Sequence, residues 1–396
     1  MPGGKSSNIL LVALLWGFFL GLAPAFSSDI AVGAYYMPGW QPGSSFWADL
    51  KGAPGSRSPN VPWPERKPLL GYYPEGEVWV AEEQLKWARE AGLSFFVYNW
   101  YWLYRKGPYL EHALRAYLRA RGRKGVKFAL LWVNHPPFDT SAREWEKILA
   151  YWEKNFLARP EYFRLHGRLP LFIFDPYGLR RVLGGWREVA RVLARFKEKG
   201  LMPVACLAGP PTYDALGLAV LEGYEAISAY NYVEATGPRV DTYDHLVEAY
   251  RRIWAAYLDY LRAFNAFLAG KKAPKLEEVL ARYAEDPRWQ EAIRAFRRLK
   301  GSGRRLSYIV PVLPGWDERP LKGQRAFVRV GSTPAKFKKM LIAARHFVEE
   351  NAKSGLVERV VLIEAWNEFA EGSYIEPTVA WGKAYLEVVK EVFGDP

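Results

Sequence analysis

The stretch from 364 to 377 reads Glu-Ala-Trp-Asn-Glu-Phe-Ala-Glu-Gly-Ser-Tyr-Ile-Glu-Pro. A strand of period two puts Glu364, Trp366 and Glu368 on one side, and Glu371 follows once the chain turns into a loop. Carboxyls crowded at one strand end desolvate and repel one another, which raises at least one pKa and separates a proton donor from a base. Cleavage of a glycosidic bond needs such a pair. The same acids could pair with arginines on a solvated rim. Against that, Glu368 lies between Asn367 and Phe369, directly after a Val/Leu/Ile-rich run, an awkward position for a mere surface charge.

Other polar and aromatic groups end the remaining apolar runs: Tyr35 and Tyr36, Asn99, Trp100 and Tyr101, Trp132 and Asn134, Asp175, Tyr230 and Asn231, Trp316 and Asp317, then Trp366 and Asn367. If these run ends converge on one mouth, aromatic faces cover the C–H surfaces of a sugar while amides and acids bind its hydroxyls. Each of these aromatics could instead fill the core; their recurrence at run ends is the stronger signal. All are candidate substrate-binding residues beside the catalytic candidates Glu368 and Glu371. Alternatively, Glu368 is the acid/base of an ordinary double-displacement enzyme whose nucleophile is Asp317 or Asp175. The five histidines, at 112, 135, 166, 245 and 346, have no metal-ligand spacing, and no nucleotide or cofactor motif occurs, so neither metal nor cofactor is expected. Cys206 lies in an apolar run and reads as core.

Positioning these groups falls to eight short β-branched or aromatic runs at 30–36, 93–100, 127–133, 169–175, 202–208, 226–231, 308–313 and 360–366. Between them lie stretches of helical period near 79–91, 109–121, 142–157, 180–199, 243–268, 333–350 and 381–393. The connection at 209–225 marks its helix only weakly. This alternation predicts an α/β fold, most simply a closed (β/α)8 TIM barrel, with an open doubly wound sheet as the alternative. Two long departures interrupt it. Residues 37–77, rich in Pro, Gly, Trp and Tyr, follow the first strand and so form a rim of the site. Residues 268–306, basic and helical, sit between the sixth and seventh strands, bracketed by Gly270 and Gly301-Ser302-Gly303. Residues 29–396 are expected to form one catalytic domain.

Four segments, AWNEFAEGSYIEP, PGWDERP at 314–320, YYMPGW at 35–40 and FFVYNWYW at 95–102, resemble the glycoside hydrolase family 99 and WbsX-like group, in order along nearly the whole chain. The resemblance implies a (β/α)8 barrel and endo-acting cleavage of α-mannosidic links with retention. It maps the family's two acids onto Glu368, a base on the sugar's 2-hydroxyl, and Glu371, the acid that protonates the leaving oxygen and then activates water. A 1,2-anhydro sugar is the implied intermediate. Phe369-Ala370 stands where family 99 members often carry tryptophan-histidine, and is closer to the WbsX-like branch. Many members of that branch are named for polysaccharide biosynthesis, so a non-catalytic glycan-binding or polysaccharide-assembly protein is a further reading.

The 396 residues are 50% hydrophobic and 24% charged, which excludes a disordered or collagen-like chain, and a single cysteine excludes a disulfide scaffold. Of the net charge of +13, residues 268–306 hold +6, from 11 Lys/Arg against 5 Asp/Glu. No nucleic-acid-binding motif accompanies it, so the expected partner is an oligosaccharide or polysaccharide and not nucleic acid. Lys5, the apolar run 9–23 and Ala23-Pro24-Ala25 predict an export signal cleaved after residue 25, hence a periplasmic or extracellular protein with no stable membrane span. An uncleaved anchor through 9–26 is the alternative. The sequence leaves the oligomeric state open.

Overall fold

A computed structural model describes residues 30–52 and 66–394. The expected signal segment, and 53–65 of the proposed rim, lie outside the described residues.

Eight parallel strands close on themselves. In chain order they are β1 Ala31–Tyr36, β2 Phe95–Leu103, β3 Lys127–Trp132, β4 Leu169–Ile173, β5 Leu201–Cys206, β6 Ala226–Ser228, β7 Ser307–Val312 and β8 Val357–Ile363. Each pairs with its chain neighbours. Closure comes from β1, which pairs with β2 (Gly33 opposite Phe95) and with β8 (Ala34 opposite Ile363). The barrel is thus closed, not an open sheet.

Around it lie α1 Val78–Glu90, α2 His112–Arg119, α3 Trp145–Trp152, α4 Trp186–Glu198, α5 Tyr213–Glu222, α6 Tyr243–Leu268, α7 Pro334–Asn351 and α8 Ala384–Phe393. The weakly marked fifth helix forms, as α5, because Thr212 caps it by accepting from the Ala215 amide and Gly223 ends it. The predicted helix 180–199 is two helices. Gly184 and Gly185 have φ of 90° and 137°, conformations open to glycine, and they separate Pro176–Leu183 from α4. The basic stretch folds as two helices, Pro274–Ala284 and Gln290–Arg297, that follow α6 directly.

Period-two alternation assigns two layers. Inward-facing residues such as Tyr35 and Asn99 fill the barrel, while Tyr36, Trp100 and Trp132 point to the helices. Among the described residues, no helix is long and apolar enough to cross a membrane.

Candidate active site

Past Ile363 the chain leaves the sheet and makes a tight hairpin. Asn367 and Glu368 pair antiparallel with Tyr374 and Ser373, and Phe369–Glu371 is a single 3-10 turn closed by Gly372 at φ 68°. The acids therefore leave from the two ends of one turn. Three sets of contacts hold it. The Asn367 amide accepts from Met37 N at 2.8 Å and donates to Met37 O at 3.1 Å, tying the hairpin to the end of β1. Arg66 Nη1 donates to the carbonyls of Phe369 (3.0 Å) and Asp317 (2.7 Å), and Asp317 N donates to Glu371 O at 2.6 Å. Phe369 and Ala370 sit in an aromatic cluster with Trp40, Trp47 and Tyr374, so the segment after β1 grips the two residues between the acids.

The electrostatics follow from that burial. Glu364 is fully buried; Ser373 Oγ lies 2.8 Å from its Oε2, and its Oε1 has no partner. Desolvation, then repulsion from Glu371 and Glu368, pushes its pKa well above the usual carboxylate range. Glu368 is 8% exposed. Burial pushes it up to about 7, opposed by the Tyr230 hydroxyl, which donates to Oε1 at 2.6 Å. Glu371 is partly exposed, yet burial of its carboxyl, then Glu368 and Glu318, raises it well above the ordinary value against the pull of Lys322. Glu368 is thus a carboxyl that ionises near neutrality, while burial and the neighbouring Glu368 charge favour the protonated form of Glu371. One turn of chain carries two carboxyls whose surroundings bias them differently.

Of the other predicted site residues, Tyr230 and Tyr101 adjoin the acids. Tyr230 receives a hydrogen bond from Asn99 Nδ2 at 3.0 Å and packs on Tyr35 at 4.7 Å; Tyr101 lies within the field of Glu368 and Glu371 and its own pKa is raised, by burial first. Tyr35 donates to Ala229 O at 3.2 Å and supports Tyr230.

Most of the rest hold the framework. Asn134 bonds the Asp175 backbone twice at 2.8 Å, clamping the ends of β3 and β4. Asp175 caps Pro176–Leu183 by accepting from Gly178 N. Asn231 accepts from Val233 N within its own loop. Tyr36 donates to Gln84 on α1.

Four assignments are corrected outright. Trp100, Trp132 and Trp366, expected at the sugar, are at most 1% exposed: Trp100 and Trp132 pack on Trp152 of α3, and Trp366 on Phe96. Each occupies the outward register of its strand or lies beyond the strand's end, where alternation no longer sets its direction. Asp317, the proposed alternative nucleophile, has its carboxylate bound by Arg66 at 2.6 Å and Arg319 at 2.5 Å, and it braces the acid turn. Trp316 is 6% exposed, with an unpartnered Nε1, and lines a cavity of about 270 Å3 behind the turn.

Sequence reasoning missed Arg66 and Ser373 as site residues, whereas Asn99 stood among the run-end groups. Asn99 carried a signal, the inward register two positions before Tyr101. Arg66 and Ser373 carried none, since their partners are set by the tertiary fold.

A closed eight-stranded parallel barrel ringed by helices, with polar groups gathered at the C-terminal ends of its strands, is the TIM-barrel architecture. The chain shares this fold with the GH99 endo-alpha-mannosidase of Bacteroides thetaiotaomicron (TM-score 0.56, 13% identity, covering 92% of this chain and 96% of that one). It shares it equally with a glycoside hydrolase-like protein (TM-score 0.56, 16% identity, 93% and 96%). The family model described as Glycosyltransferase WbsX matches residues 53–389, and the chain belongs to that family. It is also 24% identical over 338 residues to the uncharacterized protein WxcX of Xanthomonas campestris pv. campestris, an alignment covering 81% of this chain. The match spans 42% of that protein's length.

Proposed function

We propose that the chain is a retaining glycoside hydrolase that cuts within an α-mannoside-like polysaccharide, and that it is exported through residues 1–25. The observation that carries this is a pair of mutually repelling carboxyls at the two ends of one turn, with the Tyr230 hydroxyl donating to Glu368. A carboxylate nucleophile and an acid facing each other across the bond usually come from different strands, about 5 Å apart. Two acids on one turn suit a different division of labour. The Glu368 carboxylate takes the proton of the sugar's 2-hydroxyl as O2 bonds to the anomeric carbon. Glu371 protonates the departing oxygen, leaving a 1,2-anhydro sugar; its carboxylate then draws a proton from the water that attacks C1, while Glu368 returns its proton to O2 as the C1–O2 bond breaks. Two inversions give net retention.

The double-displacement reading loses its nucleophiles, because Asp317 is held by two arginines and Asp175 caps a helix. The test is to assay the purified chain on a panel of α-linked polysaccharides. Glu371→Gln is expected to cut turnover at least ~100-fold, and a 2-fluoro sugar is expected to leave every carboxylate unlabelled. Equal cleavage by the variant, or a labelled carboxylate, overturns the assignment.

The family description as a glycosyltransferase favours a second reading, polysaccharide assembly without hydrolysis. Calorimetric oligosaccharide binding with no product after long incubation would select it.

A further inference from the structure

The opposite end of the barrel has a cavity of its own. It holds about 600 Å3 where β4 to β8 begin, within the span of small-molecule pockets, roughly 300–1,000 Å3. Val357, the first residue of β8, lines it; seven strand residues at roughly 3.3 Å each put about 20 Å between it and the acid turn.

The polar lining is unbalanced. Its two carboxylates are already engaged, Glu225 by Arg168 and Glu358 by His166 at 2.7 Å. Three of its cations have only carbonyl partners. Lys197 Nζ donates to Gly223 O at 3.0 Å, Arg304 Nη1 to Val220 O at 3.2 Å, and Arg305 Nη2 to Ser354 O at 3.1 Å. Among the described residues, no carboxylate lies within 4.0 Å of any of the three. Burial, with Arg304 and Arg168 nearby, pushes the Lys197 pKa down against the pull of Glu225. Two guanidinium forks and an ammonium lining one cavity, none of them paired with a carboxylate, ask for an acceptor-only, multiply charged oxyanion. Leu165 and Met202 in the same wall leave room for an attached organic group.

We propose that this end of the barrel binds a phosphate ester, its phosphomonoester or diphosphate oxygens held by Arg304, Arg305 and Lys197. At its distance from Glu368 and Glu371 the site cannot deliver a group to them, so it docks or controls the chain, and it does so whether or not the acids hydrolyse anything.

The experiment is calorimetric titration of the full chain with pyrophosphate at constant ionic strength, chloride replacing it in the control. One molecule per chain is expected to bind with submillimolar affinity. Arg304→Ala with Arg305→Ala should weaken binding at least tenfold. Lys197→Gln, which keeps most of the stem and removes the charge, should weaken it at least threefold. Flotation with phosphatidic acid vesicles, against phosphatidylcholine alone, separates the two sources: flotation lost in the arginine variant assigns the phosphate to a lipid headgroup, its absence beside pyrophosphate binding to a soluble ester. No saturable binding in either arm, or binding that both variants leave unchanged, overturns the proposal.

Discussion

The direction of a single proton decides what Glu368 can do. Asn99 Nδ2 donates to the Tyr230 oxygen, so the hydroxyl's own hydrogen must go to Glu368, where it stabilises the charged carboxylate. Tyr230→Phe removes that donor and makes ionisation harder. In the wild type, activity that depends on the Glu368 carboxylate should rise with pH to a plateau above about 7. In the variant this rising limb should move to higher pH by about one unit, read from kcat/KM profiles; an unmoved limb would detach Tyr230 from the base. Glu368, Glu371 and Tyr230 were all readable as residues, because each ends or follows an apolar run. Their partners were not. Arg66 meets Asp317 across 251 positions of sequence, and nothing local in either segment announces the other.

At the scale of elements, the acid turn depends on backbone approach as much as on side chains. A Cβ on Gly372 would stand 2.8 Å from Asp317 N and 3.0 Å from Arg66 Nη2, in a left-handed conformation that side chains disfavour. Gly372→Ala should cost more than ~2 kcal/mol of stability and lower activity further by moving Glu371, measured by denaturant unfolding beside the assay. A variant of wild-type stability and rate would show that the turn has slack. All eight strands were legible because each is an apolar or aromatic run between turn signals. Orientation was less so. Trp100 and Trp132 sit at strand ends as expected, but period two alone does not say which register faces the barrel axis, and theirs faces the helices. The hairpin of Asn367 and Glu368 was hidden too, since two paired residues leave no periodicity.

For the molecule as a whole, buried acids link stability to pH. Burial raises Glu368 to about 7 and Glu376 to about 8, whereas both ionise near 4.5 when unfolded. Between those limits the folded chain holds protons that the unfolded chain has released, so unfolding grows easier as pH climbs. Glu144, held near 2 chiefly by Lys147 and Trp102, is ionised in both states across this window and leaves it unchanged. The melting temperature should therefore fall by at least ~3 °C from pH 5 to pH 9, and Glu376→Gln should flatten the decline in a calorimetric scan; a rising or level profile would mean these carboxyls titrate normally. The seam between β1 and β8 has one more consequence. Because Asn367 grips Met37 there, the reactive turn is assembled by joining the earliest-made strand to the last. A nascent chain therefore cannot set the two carboxyls in place until the eighth strand has been made and has docked on the first.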